Sequence, residues 1–142
     1  MPYTSSAALQ RRLGLTLLVQ LTDRGEQTTG EVDPAVIGQE LANTDAVIDA
    51  SLSVRYRLPL DSVPAFIADL ALAIAAYKLH VFEPDKKVQA DYEQALKDLR
   101  DLSTGTKKLD VAGVEPVTAD TGGVVWSDRE RLFTADSMRG LI

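Results

Sequence analysis

The chain has 142 residues and a mass of 15.4 kDa, enough for one core of ordinary size and too little for two. Its 45% hydrophobic and 25% charged residues are globular proportions, and the absence of cysteine excludes disulfides, thiolate metal sites and cysteine nucleophiles. A net charge of −6 and a pI near 4.7 argue against a chain held on nucleic acid, or on an anionic membrane surface, by charge neutralisation.

Met1 to Ser6 shows no basic segment leading into an apolar run, so no signal peptide is expected and the reading is a soluble, cytoplasmic chain. Ser5 and Ser6 are candidate caps for a short helix through Leu13, with Gly14 as its stop. Thr16 is the candidate cap of a second short helical turn carrying Leu17, Leu18 and Leu21. Asp23 to Gly30 has loop composition. Asp33-Pro34 then opens a long helix, with Asp as cap and Pro where a missing N–H costs nothing. Its stripe is Ile37, Leu41, Thr44, Ile48 and Leu52, flanked by Val36, Val47 and Val54, and Pro59 places its end near Arg57.

Leu58-Pro59-Leu60 reads as a tight connector, and Asp61 or Ser62 as the cap of a helix with Pro64 in its first turn. Phe66 to Phe82 is apolar on nearly every side, which makes it the central core helix. Asp69, Lys78 and His80, and its richness in Ala, argue against a membrane span. Glu83-Pro84 stops it, and Asp85 caps a last long helix with the stripe Val88, Tyr92, Ala95, Leu99 and Leu102. The opposite face of that helix, with Asp91, Glu93, Lys97, Asp98, Arg100 and Asp101, reads as a solvated charge-laced surface. Ser103-Thr104-Gly105 ends it.

The fold class is therefore all-α: a small helical bundle of two short and three longer helices over residues 1–104. Residues 105–142 form an extended, largely irregular C-terminal arm, with a short strand as an option at Val124-Val125-Trp126. The arm holds Trp126, Leu132, Phe133, Met138, Leu141 and Ile142, more large apolar groups than a solvated tail has physical reason to carry. Some surface, on this chain or another, is expected to receive them.

No motif of catalytic grade is present. The single histidine, His80, has no second His or Cys with which to bind a metal, and a packed histidine, or one facing the dipole at the helix C-terminus, is the favoured reading. No serine sits in a Gly-x-Ser-x-Gly turn, and Gly122-Gly123 lacks the Lys-Ser/Thr and helix start of a phosphate loop. No catalytic residue, cofactor or metal site is assigned. Arg55, Tyr56 and Arg57 divide evenly between two readings: cations favoured at a helix C-terminus whatever the function, and a contact surface, since Arg and Tyr are preferred interface anchors. A helical regulatory or interaction module without catalytic activity is the alternative class. A DNA-binding variant of it lacks the basic recognition helix it would need, and an enzyme would have to use His80 with an acid.

Arg55-Tyr56-Arg57-Leu58-Pro59-Leu60, then Val63-Pro64, then Ile74-Ala75-Ala76-Tyr77-Lys78-Leu79-His80, resembles the central signature of the Mu-like phage and prophage head–tail connector (neck adaptor) proteins. Leu21-Thr22-Asp23 ahead of a loop, and Arg131-Leu132-Phe133-Thr134-Ala135-Asp136-Ser137-Met138-Arg139-Gly140 at the end, match the same pattern, so the resemblance runs from about Ser5 to Gly140. The loop from Arg24 to Gly30 departs from it, being longer and more polar.

The resemblance implies a structural role in the virion neck, after assembly in the host cytoplasm, with no enzyme activity. A helical-bundle core would form a ring, typically twelve-fold, under the portal protein, extend the DNA channel, and dock the next neck or tail protein. DNA would be only a passing occupant, which a net acidic chain would not retain, and no membrane is involved. A terminal segment that orders on assembly would make the portal attachment. The residues expected to carry it are Trp126, Arg131, Leu132, Phe133 and Met138, with the Arg55-Tyr56-Arg57 corner orienting the subunit or holding the arm.

Overall fold

The computed structural model describes residues 2–110. They form five α-helices, α1 (Ser6–Leu13), α2 (Leu15–Thr22), α3 (Pro34–Leu52), α4 (Ala65–Leu79) and α5 (Lys86–Thr104), with no strand among the described residues. The all-α bundle of two short and three longer helices is the architecture observed; the option of a strand at 124–126 lies outside the described residues.

Ser5 caps α1 by accepting the Ala8 N–H at 3.3 Å. Gly14, at φ 82°, stops α1 and at once serves as the first flanking residue of α2, so α2 begins at Leu15 and Thr16 lies inside it instead of capping it. Asp33 caps α3 by accepting the Ala35 N–H at 2.8 Å, with Pro34 in the first position. The loop between α2 and α3 is tied at both ends. Asp23 accepts the Gly30 N–H at 2.9 Å, which with the Thr29 contacts holds its carboxyl below the usual carboxylate range. Thr22 Oγ1 accepts the Asp33 N–H at 3.2 Å.

Two helices end sooner than the periodicity predicts. Regular α3 stops at Leu52, five residues before Arg57, and Val54 is 63% exposed instead of flanking the stripe. Pro59 constrains only Leu58. What ends the helix earlier is a turn in which Arg55 and Tyr56 both donate to the Leu52 carbonyl, which puts Tyr56 and then Leu60 into the core. Likewise α4 runs from Ala65 to Leu79, with Pro64 in the capping position in place of Asp61 or Ser62, and Val81 and Phe82 lie outside it, more than half exposed. The carbonyls that would continue the helix are already engaged: Arg24 donates to Leu79 O at 2.8 Å, and the His80 Nδ1 sits 2.7 Å from Ala76 O. Arg24 also donates to Leu21 O at 2.9 Å, so one guanidinium closes the ends of α2 and α4 together.

α4 is the centre of the bundle. It packs on α5, α3 and α1, and it supplies buried side chains to both apolar clusters. One cluster joins Ile48, Leu52, Tyr56, Leu60, Ile67, Leu70, Ile74, Leu99 and Leu102; the other joins Leu9, Leu18, Leu21, Ile37, Ala75, Ala76 and Leu79. Each fully buried Leu or Ile contributes about 1.5–3 kcal/mol relative to exposure. The small Ala73, Ala75 and Ala76 let neighbouring elements approach α4 closely, and stacking of Tyr77 on Tyr92, ring centroids 4.0 Å apart, joins α4 to α5. Among the described residues no helix is long and apolar enough to cross a membrane.

Gly38 stands inside α3, where glycine is less favourable than alanine by about 1 kcal/mol. Its φ is ordinary, and a Cβ built there meets nothing within 4 Å. Neither backbone conformation nor crowding requires a glycine at this position.

Tyr3, only 4% exposed, anchors the N-terminus on α3. Its N–H donates to Asp45 at 3.1 Å and its hydroxyl donates to Asp49. Burial, then the Asp49 hydrogen bond and charge, push the phenol pKa well above its ordinary value. The folded state therefore holds this proton to higher pH than the unfolded chain does. The stability it contributes is fully present below about pH 10 and is lost as pH rises further. Urea titrations at pH 8 and above pH 10 are expected to show this loss in the unmodified chain and a smaller one in Tyr3→Phe.

Candidate functional site

The candidate site is the corner where α3 and α5 both end. Arg55, Tyr56 and Arg57 follow α3, and the antiparallel packing of α3 and α5 on α4 brings their two C-terminal ends to the same end of the molecule. The three residues separate. Tyr56 is 2% exposed, a core residue whose hydroxyl reaches out to accept the Leu109 N–H at 3.1 Å. Arg55 is half-buried across the end of α5, its Nη1 3.4 Å from the Thr104 carbonyl, and its Nε is buried without a partner among the described residues. Arg57 is exposed.

Gly105 makes the Arg55 position possible. It ends α5 in the left-handed region, at φ 81°, and a Cβ on it would lie 2.2 Å from Arg55 Nη1. Glycine is favoured there by its backbone conformation, and the guanidinium occupies the space that a side chain would otherwise take.

Beyond Gly105 the chain stays on the bundle. The Lys107 N–H donates to Asp101 O at 3.0 Å. The Lys107 ammonium pairs with Asp98 and lies 5.8 Å from the centre of the Phe66 ring. Leu109 is buried in the cluster that holds Tyr56 and Leu102. Residues 105–110, placed in the arm by sequence, are therefore held on the bundle by the Arg55, Asp98 and Tyr56 side chains and by burial of Leu109.

Asp98 corrects one expectation. Read as part of a solvated face, it is 6% exposed, accepting from Gln94 at 2.9 Å and paired with Lys107. The chain after α5 folds back over this part of the helix and covers a position that periodicity assigns to water. Asp91 keeps its surface character. It pairs with Lys87 at 3.1 Å and with Arg12 at 2.9 Å, and Arg12 reaches Asp69 at 3.2 Å. The Lys87 hydrogen bond, with the charges of Lys87 and Arg12, holds the Asp91 carboxyl below the usual range. At this exposure such pairs add little stability.

The remaining candidate chemistry resolves into packing. His80 ends α4 with its Nδ1 on the Ala76 carbonyl and its ring edge against Phe82, centroids 5.7 Å apart. Among the described residues no group of three His, Asp or Glu is placed to hold a metal. Trp126, Arg131, Leu132, Phe133 and Met138 lie outside the described residues. Sequence reasoning missed Lys107 and Leu109, the two side chains that hold the departing chain. Leu109, a lone large apolar residue after the α5 stop, was the available signal; Lys107 had none, because its partner lies nine positions back without any repeat.

Comparison with known proteins gives the lineage. The family model described as "Bacteriophage Mu, Gp36" matches residues 3–127, spanning the bundle, the Tyr56 corner and the start of the arm. "Gene product J" of Escherichia phage Mu is 34% identical over 119 residues, covering 84% of this chain and 82% of that protein. "Mu-like prophage FluMu protein gp36" of Haemophilus influenzae is 24% identical over 140 residues, covering 99% and 98% of the two chains. A family match from residue 3 to residue 127, together with a relative 34% identical over 84% of the chain, makes the chain a phage protein of the Mu Gp36 family.

Proposed function

We propose that this protein is a structural head–tail connector of a Mu-like phage or prophage neck. In this reading the bundle is the ring-forming body, twelve copies assembling under the portal in the host cytoplasm, and the ring extends the DNA channel and receives the next neck or tail protein. The observation that carries the reading is how the chain is held up to Asp110: Arg55, Tyr56 and Asp98 fix the point on the bundle from which the apolar-studded sequence continues. A segment that binds a partner's groove gains from a defined launch point, because less orientation is lost on docking. Trp126, Leu132, Phe133 and Met138 are the anchors proposed for portal or neighbouring subunit, and ring multiplicity turns weak single contacts into a durable joint. The acidic balance of the chain suits a passage along which DNA slides without sticking.

The test is native mass spectrometry of the full chain with the portal protein encoded in the same genome. Mass added in steps of 15.4 kDa, saturating at one ring, is the expected result. A chain ending at Gly122 should remain folded and add no mass. If the truncated chain loads the portal as the full one does, the arm is not the attachment. No added mass with the full chain at any salt concentration favours the alternative of a non-catalytic helical interaction module.

His80→Gln separates both readings from an enzyme. Because the ring is engaged in ending α4, the variant is expected to unfold within about 1 kcal/mol of the parent and to load the portal equally well.

A further inference from the structure

We propose that the groove between α1 and the first turns of α3 is the resting seat of Trp126 of the same chain. The groove has a volume of about 290 Å³, an apolar floor that includes Leu18, Ile37 and Leu41, and Ser6 and Gln10 on its rim. Gly38 opens onto it. Neither backbone conformation nor crowding calls for glycine there, and the residue is unfavourable inside a helix; its consequence is that the groove stays open.

The chemistry of the groove selects the occupant. Its size suits one large aromatic side chain rather than the face of a helix. The side chains of Ser6 and Gln10 make no hydrogen bond to another described residue, so acceptors remain at the edge of an apolar floor. An indole, with an apolar body and a single N–H donor, matches that combination, whereas a phenylalanine leaves the acceptors unused. Trp126 is the only tryptophan of the chain.

Reach favours the chain's own copy. The described chain ends at Asp110, beside the C-terminal end of α3, and the groove lies at the opposite end of that helix. Gly38 and Leu52 are fourteen positions apart on α3, about 21 Å at the helical rise. The fifteen residues from Val111 to Val125 can span up to about 50 Å. A tether this short gives a local concentration in the millimolar range, so at micromolar protein the chain's own Trp126 outcompetes that of a second copy. Seated there, the indole is withheld from other surfaces until a partner displaces it. The inference concerns the free chain and does not depend on the connector reading.

The full-length protein supplies its own probe, since all indole emission comes from Trp126. Expected are blue-shifted emission and resistance to acrylamide quenching, both unchanged on tenfold dilution. Gly38→Leu fills the groove from within a helix that tolerates leucine better than glycine. It should shift the emission to the red and raise the quenching constant several-fold, with helical circular dichroism and melting temperature maintained. Gly38→Ala, too small to fill the groove, should keep the shielding. The proposal is overturned if Trp126 is freely quenched in the unmodified chain, or if Gly38→Leu leaves its shielding intact. Shielding that appears only as protein concentration rises would also overturn it, by assigning the seat to a second copy. Portal loading is read separately, so either hypothesis can fail while the other stands.

Discussion

Replacing Tyr56 by alanine is expected to destabilise the bundle by about 3–5 kcal/mol, the range for removing a fully buried aromatic side chain. The ring is 2% exposed, in the cluster with Leu52, Leu60, Leu102 and Leu109, so its loss leaves a cavity bordered by two helices and the departing chain. Against a total stability of roughly 5–15 kcal/mol for a domain of this size, that change brings the bundle close to its unfolding threshold. Tyr56→Phe separates the two roles of the side chain. The ring remains, and only the acceptor for the Leu109 N–H is removed, which should cost about 1 kcal/mol and leave that amide orphaned. Urea unfolding followed by circular dichroism measures both variants. Hydrogen exchange adds a site-specific reading: the Leu109 amide should exchange about fivefold faster in Tyr56→Phe, as a local loss of about 1 kcal/mol implies, while amides inside α4 stay protected. Equal exchange at Leu109 in parent and variant would mean that the hydroxyl does not hold the chain.

Ile74→Ala is the second large effect expected, at about 2–5 kcal/mol. Ile74 is fully buried at the middle of α4, where the helix packs on its neighbours, and little nearby is free to collapse into the space. The informative control is Phe82→Ala. Phe82 is the larger side chain, and the sequence places it in the same apolar run, yet it lies beyond the end of α4 and is 54% exposed. Its removal is expected to change stability by no more than about 0.5 kcal/mol. Denaturation midpoints of the two variants at one pH test this contrast. Similar losses would mean that α4 continues to Phe82 in solution.

The outcome at Asp98 shows where reading a helical face from spacing stops working. Helical periodicity reports which residues share a face, and it correctly grouped Ala95, Leu99 and Leu102 in the buried stripe of α5. It carries no information about a segment that later returns to cover part of the polar face. Lys107 does so, with the charge Asp98 needs to be buried, and this requires the turn that Gly105 makes in the left-handed region. The candidate corner was legible to the same degree. Arg55-Tyr56-Arg57 stood out by composition and by the family resemblance, but composition could not divide the three into one core residue, one half-buried cap and one exposed cation.

Local chemistry determined the five helices, most of their caps and the central place of α4. Ser5, Gly14, Asp33-Pro34 and Gly105 act on their immediate neighbours, and an apolar run such as Ile67 to Leu79 has no stable place except the core. The ends of α3 and α4, the burial of Tyr56 and Asp98, and the open groove at Gly38 were decided by tertiary structure alone. Three of these depend on a partner outside their own helix: the end of α4 on Arg24 at the Leu79 carbonyl, Tyr56 on Leu109, and Asp98 on Lys107 across a turn. A helix ends where its last carbonyls find other donors, and a charge is buried where its counterion arrives. Both are properties of how distant segments meet in the fold.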